Sequence, residues 1–179
     1  IRVLMPDGTI VEMDLDEYVR GVVPQEVGSS WPAEALRAQA IAARTYAVPS
    51  TSHADVGADV CTTTHCQVWS PVHYPTTDLA VDDTHGQVAT YGGDIIRSFF
   101  FGHCDGHTRN SEDVWWAALP YCRAKECICG FDTMWGHGVG MCHTGAIVMA
   151  IGGKTFRYIL AHYYPSAKIK SIYCFFKPQ

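Results

Sequence analysis

The stretch VRGVVPQEVGSSWPAEALRAQAIAARTY, Val19 to Tyr46, sets one carboxylate, Glu26, just ahead of a strongly specified helix. Pro32 suits a first helical turn, where a missing N–H costs nothing, Ser29 and Ser30 offer caps, and Glu34 lies near the positive end of the helix dipole. From Ala33 to Val48 the run is rich in good helix formers, and Leu36, Ala40, Ala43 and Ala47 make a narrow apolar stripe. Small residues in that stripe predict close packing against a neighbour. Upstream, Leu15 to Val22 reads as a short helix that starts after Asp14 or Asp16 and is ended by Pro24. Glu26 is therefore expected on an irregular segment braced by a rigid helix, a suitable place for a working acid or base. A solvated loop glutamate is the plain alternative.

Outward from this stretch, Ile1 to Met13 reads as a hairpin about Pro6-Asp7-Gly8-Thr9. Thr77 to His85 reads as a short helix closed by Gly86, and Gln87–Tyr91 with Asp94–Phe101 as a second hairpin across Gly92-Gly93. Gly145–Ile151 and Lys154–Tyr163 have helical patterns, and Ile169–Phe175 alternates as a closing strand. Helices and hairpins mix without a regular βαβ alternation, which predicts an α+β fold. The expected architecture is a single domain over residues 1–179, its helices and antiparallel hairpins forming two lobes around a substrate groove.

Composition narrows the function. The net charge is −5 with only 13 Lys and Arg and no basic run, which excludes a nucleic-acid surface. No apolar run approaches the ~20 residues needed to span a bilayer, and no basic-then-apolar leader opens the chain. No membrane span is expected in this chain.

Eight cysteines are many for 179 residues. Cys61 and Cys66 come with His53 and His65, and two thiolates with two imidazoles are the usual complement of a tetrahedral zinc site. A local Cys61–Cys66 disulfide, or a redox pair, is the alternative, and a disulfide leaves two nearby histidines unexplained. His53 is the weakest of the four ligands, with His73 as its substitute. Four filled positions would make the zinc structural, replacing core that the polar segment 48–64 lacks. Cys122, Cys127, Cys129 and downstream Cys142 read as a second metal site or as disulfides, and the lack of a histidine within the group favours disulfides.

Three further constellations carry chemical interest. After the apolar strand Ser98–Phe101 comes a dense polar loop with His107, Thr108 and Ser111, followed by Trp115 and Trp116, a composition suited to sugar hydroxyls and ring faces. In Trp135-Gly-His137-Gly138-Val-Gly140-Met, alternating glycines around His137 would let backbone approach a ligand, or simply make a tightly packed turn. Asp55, Asp59, Asp82 and Asp83 are candidates for a second carboxylate, most of them expected at the surface or in caps.

The Gly21-Val22-Val23-Pro24-Gln25-Glu26 segment, Gly106-His107-Thr108, Ser111-Glu112-Asp113-Val114-Trp115 and Gly136-His137-Gly138-Val139-Gly140-Met141 occur in the order seen in one family. From Ile1 to Gln179 the chain resembles the stage II sporulation protein D family, also called the amidase-enhancer domain family. The resemblance implies a bacterial peptidoglycan lytic transglycosylase that cuts glycan strands, preferentially those stripped of stem peptides, outside the cytoplasm of a sporulating cell. It puts the catalytic glutamate on Glu26, makes Cys61, His65 and Cys66 look like a zinc site, and implies a cell-wall amidase and membrane-anchored sporulation proteins as partners. His107, Thr108, Ser111, His137, Gly138 and Gly140 would line the sugar groove. The chain departs from the family pattern at Val27-Gly28, His103-Cys104-Asp105 and Cys142-His143-Thr144. Two rivals make different predictions: a zinc amidase with Glu26 as base, and a non-catalytic amidase enhancer that binds glycan.

Overall fold

A computed structural model describes residues 1–115 and 117–175. The N-terminal hairpin forms as the turn residues predict, β1 (Arg2–Leu4) against β2 (Ile10–Glu12), with Arg2 opposite Glu12. Helix α1 spans Leu15–Glu26, and the Asp14 carboxylate caps it by accepting from the N–H groups of Asp16 and Glu17. Pro24 does not end this helix. It falls in the last turn, where it removes a single backbone donor, and burial of Val22, Val23 and Val27 holds the end in place. Glu26 is thus the last residue of α1 rather than part of an irregular segment.

Helix α2 covers Ala33–Ala47 and starts at Pro32, without a side-chain cap from Ser29 or Ser30. It is buried on nearly every side. Leu36, Ala40, Ala43 and Ala47 pack with Tyr18, Val19, Val22 and Val23 of α1 in one apolar cluster. Ala38, Ile41 and Ala42 belong to a second cluster with Met141, Met149, Ile159, Leu160 and Tyr163. A helix buried on nearly every side is a core helix, and its alanines let both neighbours come close. Arg44 also lies inside, its Nε donating to Asp16 Oδ1 at 2.7 Å and its Nη groups to the carbonyls of Gln87 and Val81.

Beyond α2, β3 (Val60–Cys61) joins β1 in parallel, with Cys61 opposite Leu4. Helix α3 (Pro75–Asp83) leads to the antiparallel β4 (Gln87–Tyr91) and β5 (Asp94–Ile95). The second hairpin therefore stops at Ile95 rather than Phe101: Ile96 turns into the core and the Ser98 hydroxyl donates to the Ala42 carbonyl of α2. Phe100–Phe101 forms its own strand, β6, and the short helix α4 (Ser111–Val114) follows. Strand β7 (Met141–Cys142) pairs in parallel with β6 and runs straight into α5 (His143–Ile151), whose N-cap is Cys142. Thr155 caps α6 (Phe156–Tyr163), and β8 (Lys168–Ser171) closes the sheet on β4. That last strand is shorter than its alternation predicts, because the Ser171 hydroxyl caps a 3-10 turn over Ile172–Cys174. The fold is α+β, with small antiparallel and mixed sheets packed on helices.

Candidate functional site

Glu26 is half-buried at the end of α1, and its Oε1 accepts the Val68 N–H at 3.1 Å. Burial raises its pKa above the ordinary glutamate value, against the opposing pull of that one hydrogen bond. Five residues earlier, Gly21 makes room for the partner segment: a Cβ there would lie 2.2 Å from Trp69 Nε1 and 2.6 Å from the Ser70 carbonyl. The Gly21 carbonyl in turn accepts the Ser70 N–H. Helix α1 therefore presents Glu26 and also forms the shelf on which residues 68–70 lie.

The same chain segment carries the cysteines and histidines. The ligand atoms of His53, Cys61, His65 and Cys66 all lie within 4.8 Å of one another. Strand β3 delivers Cys61, a turn closed by Cys66 N–H to the Thr63 carbonyl delivers His65 and Cys66, and a bridge between His53 and Ala58 places His53. His53 Nε2 is buried with no hydrogen-bond partner, as expected of an atom whose partner is a metal ion. Burial opposes a thiolate at Cys61, but hydrogen bonding, chiefly from Thr63, outweighs it and brings that thiol down to about 6. Burial sends Cys66 up to about 11. His73 stands apart, 3.9 Å from Asp78.

A cleft of about 230 Å³ opens beside this cluster, lined by His65 and Cys66 and by Phe99, Phe100, Trp115 and His137. Phe99 and Trp115 also line a larger cleft of about 610 Å³ that extends to Arg97 and Tyr121. The His137 ring packs 4.9 Å from Trp115 and 5.6 Å from Phe101 between centroids, and its Nδ1 accepts the Val139 N–H. Burial lowers its pKa, which favours the neutral ring. Trp116 lies outside the described residues. No aspartate or glutamate is among the residues lining either cleft; Glu26 is tied by Val68 to the chain just past Cys66. The candidate second carboxylates are engaged elsewhere: Asp59 with Arg2, Asp82 with Arg20 and Asp83 with Arg37, while Asp55 is exposed in a 3-10 turn.

The remaining expected groove residues have other occupations. Gly138 and Gly140 are buried, and their positive φ angles serve close packing of the chain on itself rather than approach to a ligand. A Cβ on Gly140 would sit 2.0 Å from the Phe99 carbonyl, and one on Gly138 would sit 3.0 Å from Arg109 Cγ. Thr108 and Ser111 are buried too. The Thr108 hydroxyl accepts from Lys125 N–H, and that of Ser111 accepts from Leu119 N–H and Arg123, so both brace the loop from within. His107 is exposed and bridges to Glu126. Of the set, His137 alone lines the cleft beside His65 and Cys66.

Sequence reasoning passed over an aromatic path into the cleft. His143, buried and driven down to about 3 by burial, packs edge-on against Trp31 at 6.0 Å and at a tilt of 30° against Phe100 at 5.3 Å. It links the segment after α1 to the cleft wall. Tyr46, the last residue of the opening stretch, also lines the cleft, and burial raises its hydroxyl to about 12. The only sequence signal for His143 was its departure from the family pattern.

Residues 7–91 match the family model described as stage II sporulation protein. The family model and the relatives named stage II sporulation protein D and amidase enhancer support a likeness to the stage II sporulation protein D family. It is 40% identical over 114 residues to an uncharacterized protein of Brachyspira hyodysenteriae, covering 62% of this chain and 31% of that protein. It is 38% identical over 109 residues to the amidase enhancer of Bacillus subtilis, covering 60% of this chain and 15% of the relative. It is 35% identical over 137 residues to stage II sporulation protein D of Bacillus subtilis, covering 66% and 40% respectively. The chain thus spans less than half the length of each of these relatives. Among the described residues, no helix is long and apolar enough to cross a membrane.

Proposed function

We propose that this domain is a peptidoglycan lytic transglycosylase, cutting the bond between N-acetylmuramic acid and N-acetylglucosamine in glycan strands stripped of stem peptides. The observation that carries the reading is Glu26, a carboxyl raised by burial, whose one backbone hydrogen bond ties it to Val68, two residues past the Cys66 that lines an aromatic cleft. Glycosidases that use water need two carboxyl groups. Here the substrate's own C6 hydroxyl is the nucleophile. Protonated Glu26 gives its proton to the bridging oxygen as the glycosidic bond breaks. The resulting carboxylate takes the C6 hydroxyl proton as that oxygen bonds to C1, giving a 1,6-anhydro end and returning Glu26 to its acid form. Trp115, Phe99 and Phe100 offer ring faces to the sugars, and neutral His137 offers a polar edge.

His53, Cys61, His65 and Cys66 would hold a structural zinc ion. Four protein ligands fill a tetrahedral shell, so such an ion orders the loop that donates Val68 N–H to Glu26 and takes no part in bond breaking. The setting is the extracytoplasmic cell wall of a sporulating bacterium. A cell-wall amidase and membrane-anchored sporulation proteins are its proposed partners, the amidase in line with the name of the Bacillus subtilis relative.

That name also favours a second reading, a glycan-binding enhancer that cuts nothing. Mass spectrometry of purified denuded glycan after incubation with the domain separates the two. Anhydro ends are expected; unchanged glycan identifies the enhancer, and reducing ends or released stem peptides identify a hydrolase or an amidase.

A further inference from the structure

We propose that Cys104, Cys127, Cys129 and Cys142 hold a second zinc ion in a closed four-thiolate site, separate from the His53/Cys61/His65/Cys66 cluster. The four residues come from three segments that meet only in the fold. Cys104 lies in the loop after β6, Cys127 and Cys129 in the loop ahead of β7, and Cys142 is the N-cap of α5. All are buried in the second apolar cluster, and their sulfur atoms all lie within 4.8 Å of one another. Zinc–sulfur bonds of about 2.3 Å in a tetrahedron put the sulfurs about 3.8 Å apart. Cys104 Sγ and Cys129 Sγ are 3.5 Å apart, near that edge and well beyond a disulfide bond of about 2.0 Å. Two disulfides need two separate pairs. Convergence of four thiols on one point is what a single metal ion needs, and it reverses the disulfide expectation drawn from sequence spacing.

The surroundings fit an anionic four-thiolate centre. The Gly145 N–H, in the first turn of the nine-residue helix α5, points at Cys142 Sγ at 3.3 Å, and the Tyr163 hydroxyl lies 3.2 Å from Cys127 Sγ. Gly145 is required for this approach. A Cβ there would fall 2.5 Å from Cys127 Sγ and 2.0 Å from the Tyr163 hydroxyl. Between Val114 and Met141 the described residues form no helix or strand, yet the segment is folded into the domain. So long an irregular stretch needs an anchor other than a hydrogen-bonded ladder, and two of the four cysteines lie in it. The other two cysteines outside the first cluster do not join: Cys122 Sγ faces the Arg97 carbonyl and Cys174 is exposed.

Elemental analysis of the purified chain and its variants tests the assignment. Cys127→Ser/Cys129→Ser is expected to carry one zinc fewer per chain than the parent, and His65→Ala to keep the zinc that the double variant loses. The comparison is with the parent, so it stands whether or not the first cluster binds metal. Should the double variant fail to fold, alkylation of the parent with mass mapping gives the same answer. Cys104, Cys127, Cys129 and Cys142 should resist alkylation until a zinc chelator is added, while Cys174 reacts at once. Unchanged zinc content in the double variant, free alkylation of the four without chelator, or an intact mass short by two hydrogens per bridge that reductant restores would each overturn the proposal.

Discussion

At the scale of single residues, the proposed chemistry rests on Glu26, whose surroundings disfavour its charge. Its pKa is raised by burial, so the acid form persists to higher pH than for a free glutamate. Turnover on denuded glycan should fall as pH rises through that raised value, with the limb displaced above the usual glutamate range; a limb at the unperturbed position contradicts it. The linkage has a matching sign. A carboxyl whose folded pKa lies above its unfolded one costs stability as pH rises through the interval, so Glu26→Gln should melt no lower than the parent at neutral pH. A large fall in Tm would show the carboxylate to be structural instead. At Gly140, backbone rather than chemistry decides. An added Cβ meets the Phe99 carbonyl at 2.0 Å and φ is +80°, so Gly140→Ala should lose more than about 2 kcal/mol in denaturant unfolding. The sequence made Glu26 stand out but misplaced it. A proline two residues before it reads as a helix stop, and only the packed valines around it show that α1 continues. The glycines around His137 were visible as special, yet whether they face a ligand or their own chain depends on partners far away in sequence.

At the scale of elements, α1 and α2 do most of the positioning. Arg44 of α2 is fully buried and bonded to Asp16 of α1 and to two carbonyls, so it staples the helix pair to the chain around β4. Arg44→Met should destabilise the domain by about 3 kcal/mol in chemical denaturation, since it takes the guanidinium from the buried Asp16 carboxylate and leaves His85 as its side-chain partner. A loss below about 1 kcal/mol, the size of a surface pair, would contradict that role. Helices and the first hairpin were legible because caps, turn residues and apolar spacing are local signals. The parallel pairing of Phe100–Phe101 with Met141–Cys142 was not, since two-residue strands have no period and their partners lie some forty residues apart. The second hairpin was overextended for the same reason.

At the scale of the whole molecule, two apolar clusters share α2, and each adjoins a convergence of cysteines. Sequence spacing grouped Cys61 with Cys66 and its histidines, where the ligands are near neighbours. It could not bring Cys104 to Cys127, Cys129 and Cys142, nor set Cys122 aside, because that selection is made by tertiary packing. If the first cluster orders the Glu26 loop through zinc, chelation should lower Tm and activity together, and zinc should restore both. Loss of activity with an unchanged Tm would instead indicate a catalytic metal. The central claim remains the reaction. The most direct test is mass spectrometry of denuded glycan treated with the parent domain and with Glu26→Gln. Anhydro-muramic ends from the parent and none from a folded Glu26→Gln variant are predicted; undigested glycan from the parent, or equal digestion by both proteins, would contradict the account.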